Sequence, residues 1–250
     1  MNGGLSSQRQ DAQRWEAQRP GFGRWGAVAG IVLRPRRALA AVARAPVWWL
    51  TWSTLLVVWA LCGGLLLSTE VGRQALVDER VRVVETFGGV ITAEQYAELL
   101  ARPPWWIYFT SGGRTLLAPP VTLLAAVGVW LLARREGASP SLSQAMALSV
   151  YSSVVLVIGQ VVATPLHYVR ESLTSPLNMA AILPLMEEGT LPARFFGTLD
   201  FFALWWVGLL ALSLSVLTGR RMGRYLWPLV ALYLVFAASM AGLIAIMGGN

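Results

Sequence analysis

The chain has 250 residues, of which 56% are hydrophobic and 13% charged, and its mean hydropathy is +0.56. Soluble domains carry about 25% charged residues, so this composition excludes an ordinary water-soluble protein and indicates a polytopic membrane protein. The formal net charge is +7, and every basic residue is an arginine. One Cys and one His leave no intrachain disulfide and no Cys/His zinc cluster.

Five apolar stretches are long enough to cross a bilayer as helices, which takes about 20 residues each. Each stretch is apolar on all sides rather than alternating, which favours helices over barrel strands. The sequence therefore predicts an all-α fold, a bundle of five transmembrane helices with short interfacial and extramembrane helices. The predicted spans cover about residues 46–68, 106–133, 143–166, 199–217 and 225–248.

The segment before the first span divides into two parts. Residues 1–24 are rich in Gln, Arg, Gly and Ser, which predicts a disordered cytoplasmic tail ahead of a membrane domain over residues 25–248. Within residues 21–44, Leu39 and Val42 share a helical face that follows Arg36 and Arg37. This pattern predicts a helix lying in the cytoplasmic headgroup layer, with an ordinary juxtamembrane linker as the alternative.

The arginines are distributed unevenly among the segments between the spans. Residues 1–45 hold eight Arg and two acidic residues, whereas the loop at 70–105 holds four Arg and six acidic residues. The short links at 134–142 and 218–224 are basic again. The positive-inside rule therefore predicts a cytoplasmic N-terminus and an external C-terminus. Anionic lipids are the expected partners of the basic side, and no motif supports nucleic-acid binding.

Two of the longer loops carry further structure. In the loop at 70–105, apolar residues recur at helical spacing, and Thr92 with Gln95 has the form of a capping box ahead of a helix at about 93–101. We expect two short amphipathic helices there. The loop at 167–197 is too apolar to be free in water. It is expected to dip to the interface or to contain a short helix at about 177–186.

The third span carries an unusual number of hydrogen-bonding side chains. Ser149, Ser153 and Gln160 fall close to one helical stripe, and Ser152 adjoins it. Such residues either bond helices to one another or line a wet path for a solute or a lipid headgroup. Bonding between helices is the more common role.

Two charged residues lie at the predicted spans. Arg114 falls inside the second span, and Asp200 begins the fourth on the same side of the membrane. A charge inside a bilayer is costly without a partner, so we predict a direct or water-bridged contact between Arg114 and Asp200. In the alternative, Asp200 is only a first-turn acid behind a Thr198 cap.

Enzyme motifs fail on spacing or on residue type. A CAAX-type protease needs Glu-Glu-x-x-x-Arg, but Arg194 follows Glu187–Glu188 two residues too late, and His167 is the only His. The sequence has no G-x-S-x-G and no H-E-x-x-H motif. We therefore predict no catalytic residues, no cofactor and no metal site, and interpret His167 as a polar end-group of the third span.

Several stretches together resemble one known family. Leu33-Arg34-Pro35 is followed by Val47-Trp48-Trp49, then by the Ser141–Ser153 run and Thr164-Pro165-Leu166, and finally by Leu199-Asp200-Phe201-Phe202 with Trp205-Trp206. In this order the segments resemble the bacterial branch of the YIP1 family over roughly residues 25–248. The resemblance implies a five-helix integral membrane protein with a cytoplasmic N-terminus, here in a bacterial plasma (inner) membrane. Eukaryotic relatives act in vesicle traffic and contact Rab-type GTPases, but their Asp-Leu-Tyr-Gly-Pro signature is not visible here.

Two classes of function remain. The first is a non-enzymatic scaffold or membrane-organising protein of the trafficking type, which works by helix packing and contacts with membrane-protein partners. The alternative is an accessory or permease-like subunit of a transporter. Five spans cannot divide into two equal halves and no internal repeat is visible, which disfavours a self-contained transporter. The sequence defines neither the partner nor the oligomeric state.

Overall fold

The structure is a computed structural model that describes residues 24–101, 104–182 and 190–247. The side chains of residues 104–115 lie outside this description, as does the predicted disordered tail before residue 24. The described residues are almost entirely helical and contain no strand beyond an isolated bridge between Asn178 and Asp200. In chain order the helices are α1 (Arg24–Leu33), α2 (Pro35–Arg44), α3 (Trp49–Leu67), α4 (Glu70–Thr86), α5 (Ala93–Ala101), α6 (Pro104–Arg135), α7 (Leu142–Ser152), α8 (Val154–Arg170), α9 (Met179–Ile182), α10 (Leu191–Thr198), α11 (Phe201–Thr218) and α12 (Gly223–Met247).

Five segments of the described chain are long and apolar enough to cross a membrane, which confirms the predicted five-span helical fold. They are α3, the Leu116–Arg135 part of α6, α7 together with α8, α11, and residues Gly223–Ile246 of α12. Because a bilayer offers no hydrogen-bond partners, each backbone satisfies itself as a helix. The helix α6 continues through Pro119 and Pro120 rather than starting at them.

The third span is the central one. In its most apolar stretch, 61% of the residues are buried inside the protein, compared with 17% in the first span and 11% in the fifth. It begins with a capping box in which the Ser141 hydroxyl and the Gln144 side chain each bond the other residue's backbone. The prediction of one continuous helix was incomplete, because α7 ends at Ser152 and α8 begins at Val154. Ser153 lies at the junction, where its hydroxyl bonds the Ser149 carbonyl, a contact that often bends helices.

Contacts between the spans show which of them are neighbours and their relative directions. Thr51 of α3 donates to the Tyr151 hydroxyl at 3.1 Å, which pairs the first and third spans near one end. Ser152 of α7 and Ser213 lie 3.3 Å apart, and Gly159 of α8 lies against Phe202, so the third span and α11 run antiparallel. The serines of the third span are thus embedded between neighbouring helices.

The segments rich in arginine meet at one end of the bundle. The Gln144 amide donates to the Ala43 carbonyl at 3.0 Å, and Arg224 forms an ion pair with Glu136 at 3.0 Å. The N-terminal helices and the links at 134–142 and 218–224 therefore share this end, which we call the arginine-rich end. The helices α4, α5, α9 and α10 lie at the opposite end.

The N-terminal amphipathic helix forms as predicted, but its surroundings differ. In α2, Ala38, Leu39 and Val42 are buried, and they pack in one cluster with Leu148 of α7 and Leu212 of α11. The apolar face therefore lies against the third and fourth spans and not in the lipid headgroup layer. Helix periodicity predicts an apolar face, but it does not say whether lipid or protein covers that face.

Both predicted helices of the 70–105 loop are present as α4 and α5, but only α5 has the predicted amphipathic pattern, because the apolar residues of α4 are spread around the helix. The capping box is confirmed, since the Thr92 amide donates to the Gln95 side chain at 3.0 Å and the Gln95 amide donates to the Thr92 hydroxyl at 3.3 Å. The loop at 167–197 contains the short helix α9 within the predicted range, while residues 183–189 lie outside the description. The helix α10, which begins behind the Thr190 cap, was not predicted.

Candidate functional site

A cavity of about 380 Å³ lies between the first, third and fourth spans, at the end opposite the arginine-rich end. Its walls are mostly apolar and come from α3, α4, α8 and the start of α11. Four polar residues, Gln160, His167, Ser175 and Asp200, also line it. An apolar pocket of this size with a few convergent polar groups is the usual form of a small-molecule site. The apolar lining includes Trp59, Leu66, Leu67, Leu156, Ala163 and Phe202.

Asp200 is held in place by its role as the N-cap of α11. One carboxylate oxygen accepts hydrogen bonds from the Phe202 and Ala203 amides at 2.8 and 3.2 Å. The other oxygen accepts from the Ser175 hydroxyl at 2.8 Å. Asp200 is therefore itself the cap, whereas the Thr198 hydroxyl donates back to the Arg194 carbonyl. The positive end of the helix dipole favours a carboxylate at this position.

His167 is nine-tenths buried near the end of α8. Its Nδ1 lies 2.8 Å from the Ser172 carbonyl oxygen. Since a carbonyl can only accept, Nδ1 carries the proton and donates it, which leaves Nε2 as an acceptor in the neutral ring. His167 thus anchors the following loop and lines the cavity at the same time.

Gln160 and Gly159 form the part of the wall that α8 contributes. The Gln160 side chain is half-buried and lines the cavity. Beside it, a Cβ added at Gly159 would come within 2.7 Å of the Phe202 ring, so only Gly allows α8 and α11 to approach this closely.

The loop at 171–178 closes the cavity and is tied to three helices. His167 binds its backbone at Ser172, Arg82 of α4 donates to Thr174 at 2.7 Å, and Ser175 donates to Asp200. Behind it, the Tyr233 hydroxyl accepts from the Asp200 amide at 3.2 Å and donates to the Thr198 carbonyl at 2.8 Å. The fifth span is thereby attached to the same site.

The six polar residues selected from the sequence occupy different places. Gln160 and Asp200 come together at the cavity. Ser149 and Ser152 are fully buried and Ser153 is half-buried, and none of the three is among the residues that line it. The Ser149 hydroxyl has no hydrogen-bond partner within the described residues. The Arg114 side chain lies outside the described residues, so its contact with Asp200 stays a prediction.

Sequence reasoning missed two members of the site. His167 was interpreted as a polar end-group, and Ser175 was not singled out. Their role depends on a loop that folds back over the ends of α8 and α11, and helical periodicity carries no information about such a loop. The available signal in the sequence was weak: a lone His, followed eight residues later by a Ser-Pro step.

Comparison with known proteins gives one family. A family model described as the Yip1 domain matches residues 29–246. No curated protein and no solved structure matches the chain significantly. The match extends from the middle of α1 to the end of the fifth span, so it includes every helix that lines the cavity.

Proposed function

Because the chain belongs to the Yip1 family of membrane proteins, we propose that it is a non-enzymatic scaffold that organises other components of its membrane. The proposal is carried by one observation: polar side chains of the third span bond neighbouring spans. Ser152 pairs with Ser213 and Tyr151 accepts from Thr51. Such bonds stabilise a fixed arrangement of helices, as a scaffold requires.

The outer faces of the bundle support contacts with other membrane proteins. The fifth span leaves most of its residues exposed, including Val235 at 62% exposure, and the first span has an exposed face that includes Val57 at 56%. These faces contact either lipid acyl chains or partner helices. We propose that partner helices use them, with the bundle held together around the third span.

The proposed setting is a bacterial inner membrane with the arginine-rich end in the cytoplasm. The arginines at this end follow the positive-inside rule and suit anionic headgroups. They are opposed in sequence by few acidic residues, and one of these, Glu136, is paired with Arg224. The N-terminus would then be cytoplasmic and the C-terminus external.

Photo-crosslinking in intact cells tests the scaffold proposal. A photoreactive amino acid is placed at Val57 or Val235 on the exposed faces, and at the fully buried Leu148 as the matched control. We expect discrete crosslinks to a small set of membrane proteins from the exposed positions and none from Leu148. Crosslinks to lipid alone would contradict the scaffold function.

The second candidate function is an accessory or permease-like transporter subunit. The four polar residues that line the cavity between the spans favour it, since transporters place polar groups of broken helices around their substrates. The same crosslinking experiment separates the two. A transport ATPase or permease as the dominant crosslinked partner would assign the chain to a transporter.

A further inference from the structure

We propose that the cavity at Asp200 binds one phospholipid whose head is a primary ammonium, as in phosphatidylethanolamine. The proposal goes beyond the scaffold function and does not depend on it. It rests on the chemistry of the cavity lining: an apolar wall for an acyl chain, and a polar end that presents acceptors and a negative charge.

Within the described part of the chain, the hydrogen-bond acceptors at the polar end are only partly used. A carboxylate offers about four lone-pair sites, and Asp200 uses three of them for two backbone amides and the Ser175 hydroxyl. In its neutral form His167 also offers Nε2 as an acceptor, because its Nδ1 donates to the Ser172 carbonyl. A ligand that completes this site must bring hydrogen-bond donors.

Charge selects among the possible donors. Among the described residues that line the cavity, Asp200 is the one acidic residue, and none is Arg or Lys. A hydrogen bond from a cationic donor to a carboxylate is about twice as strong as a neutral one. A primary ammonium supplies three N–H donors and a positive charge, whereas the trimethylammonium of phosphatidylcholine has the charge but no N–H donor.

The polar and apolar parts of the cavity lie at the depths where the headgroup and an acyl chain of a phospholipid would lie. Asp200 begins a transmembrane helix, which places it near the level of the headgroups. The apolar wall runs from there along α3 and α8 toward the membrane interior, past Trp59 and Leu156. A headgroup at Asp200 would therefore leave an acyl chain along this wall.

Native mass spectrometry of the purified full chain in detergent tests the proposal. The protein is titrated with dioleoyl phosphatidylethanolamine, its mono- and dimethylated forms, and dioleoyl phosphatidylcholine. We expect affinity to fall as N–H donors are removed, with phosphatidylcholine about ten-fold weaker, the effect of one charge-assisted hydrogen bond. Equal affinity across the series would overturn the proposal.

The variant Asp200→Asn tests whether the Asp200 carboxylate causes the preference for phosphatidylethanolamine over phosphatidylcholine. Asn caps helices about as well as Asp, so the start of α11 should persist while the charge is lost. We expect the variant to lose most of its preference for phosphatidylethanolamine over phosphatidylcholine, leaving the part due to uncharged acceptors. Asp78→Asn, an acid on α4 that bonds Tyr96 away from the cavity, is the matched control and should keep the preference. A preference that survives undiminished in Asp200→Asn contradicts the site.

A second variant of the cavity lining provides an independent test. Gln160→Leu keeps the side-chain volume and breaks no hydrogen bond within the described residues, so it probes the cavity even where Asp200→Asn does not fold. It should reduce the phosphatidylethanolamine preference about three-fold, the loss of one hydrogen bond from the ammonium to an uncharged acceptor. An unchanged preference in this variant contradicts the site.

Dodecylamine, which carries the same ammonium on a single chain, tests whether the ligand is a phospholipid. Binding of dodecylamine that depends on Asp200, with no such binding of phosphatidylethanolamine, would replace the lipid by a single-chain amine.

Discussion

At the scale of single residues, Gly159 shows how one missing side chain shapes the cavity wall. Its Cα faces the Phe202 ring, and a Cβ there would lie 2.7 Å from Cγ and 3.0 Å from the Cβ of Phe202. Gly159→Ala should therefore destabilise the protein by about 1–3 kcal/mol, the usual cost of overpacking. Thermal unfolding in detergent measures the loss. Gly128→Ala is the control, since nothing lies within 4 Å of its Cβ, and a loss as large in this variant would contradict the explanation.

Asp200 is also the residue for which the predicted contact with Arg114 can be measured. Three lone-pair sites of its carboxylate are occupied, so Arg114 and a lipid ammonium would compete for the fourth. In lipid-free detergent we expect a coupling energy of about 1 kcal/mol in the cycle Arg114→Leu, Asp200→Leu and the double variant. A coupling near zero would exclude the pair. Arg114→Leu should also tighten phosphatidylethanolamine binding.

At the scale of helices, the contact between α4 and α5 depends on one hydrogen bond. The Tyr96 hydroxyl donates to the Asp78 carboxylate at 2.7 Å. This bond, together with burial and the negative charge of Asp78, raises the pKa of Tyr96 above its usual 10.0. The bond therefore stabilises the folded protein fully below pH 10 and is lost as the pH rises through the folded-state pKa.

The expected result is a pH-dependent difference between the wild type and Tyr96→Phe. Below pH 10.0, the ordinary pKa of a tyrosine side chain, the variant should unfold more easily. The difference should be less than about 1 kcal/mol, because the pair is only half-buried and water screens it. Above the folded-state pKa the two proteins should unfold alike. Thermal unfolding across this range checks the difference, and a gap that is unchanged at high pH would show that the hydrogen bond is not its cause.

The helices differ in how well the sequence predicts them. Spans such as α11 follow from hydropathy alone, and α5 follows from the Thr92–Gln95 capping box, because both signals are local. The burial of α2 and the folding of the Ser172–Ser175 loop over the cavity are tertiary events. They depend on residues far apart in the chain, so Gln160 and Asp200 were chosen as separate polar positions and their meeting at one cavity was not predicted.

At the scale of the whole molecule, the two ends of the bundle should face different compartments. In a Cys62→Ala background, single cysteines at Gln8, Glu85, Ser139 and Arg221 report the sidedness of the tail and three loops. A membrane-impermeant maleimide added to intact spheroplasts should label position 85 alone. We expect the other three positions to be in the cytoplasm, on the side of the arginine-rich end, where the reagent does not reach them. Permeabilised cells provide the control for reactivity. External labelling at position 221 would contradict the proposed orientation.

The burial of α2 against the third and fourth spans has a consequence for biosynthesis. Ala43 and Gln144, which bond where α2 meets α7, are 101 positions apart in the chain. The ribosome therefore completes α2 long before its partners exist. Until α7 and α11 have been translated and inserted, no protein covers Leu39 and Val42. A basic amphipathic helix with an uncovered apolar face binds the membrane surface. We therefore expect the lipid-bound helix predicted from the sequence to be an intermediate in the assembly of this protein, which packs into the bundle once the fourth span has inserted.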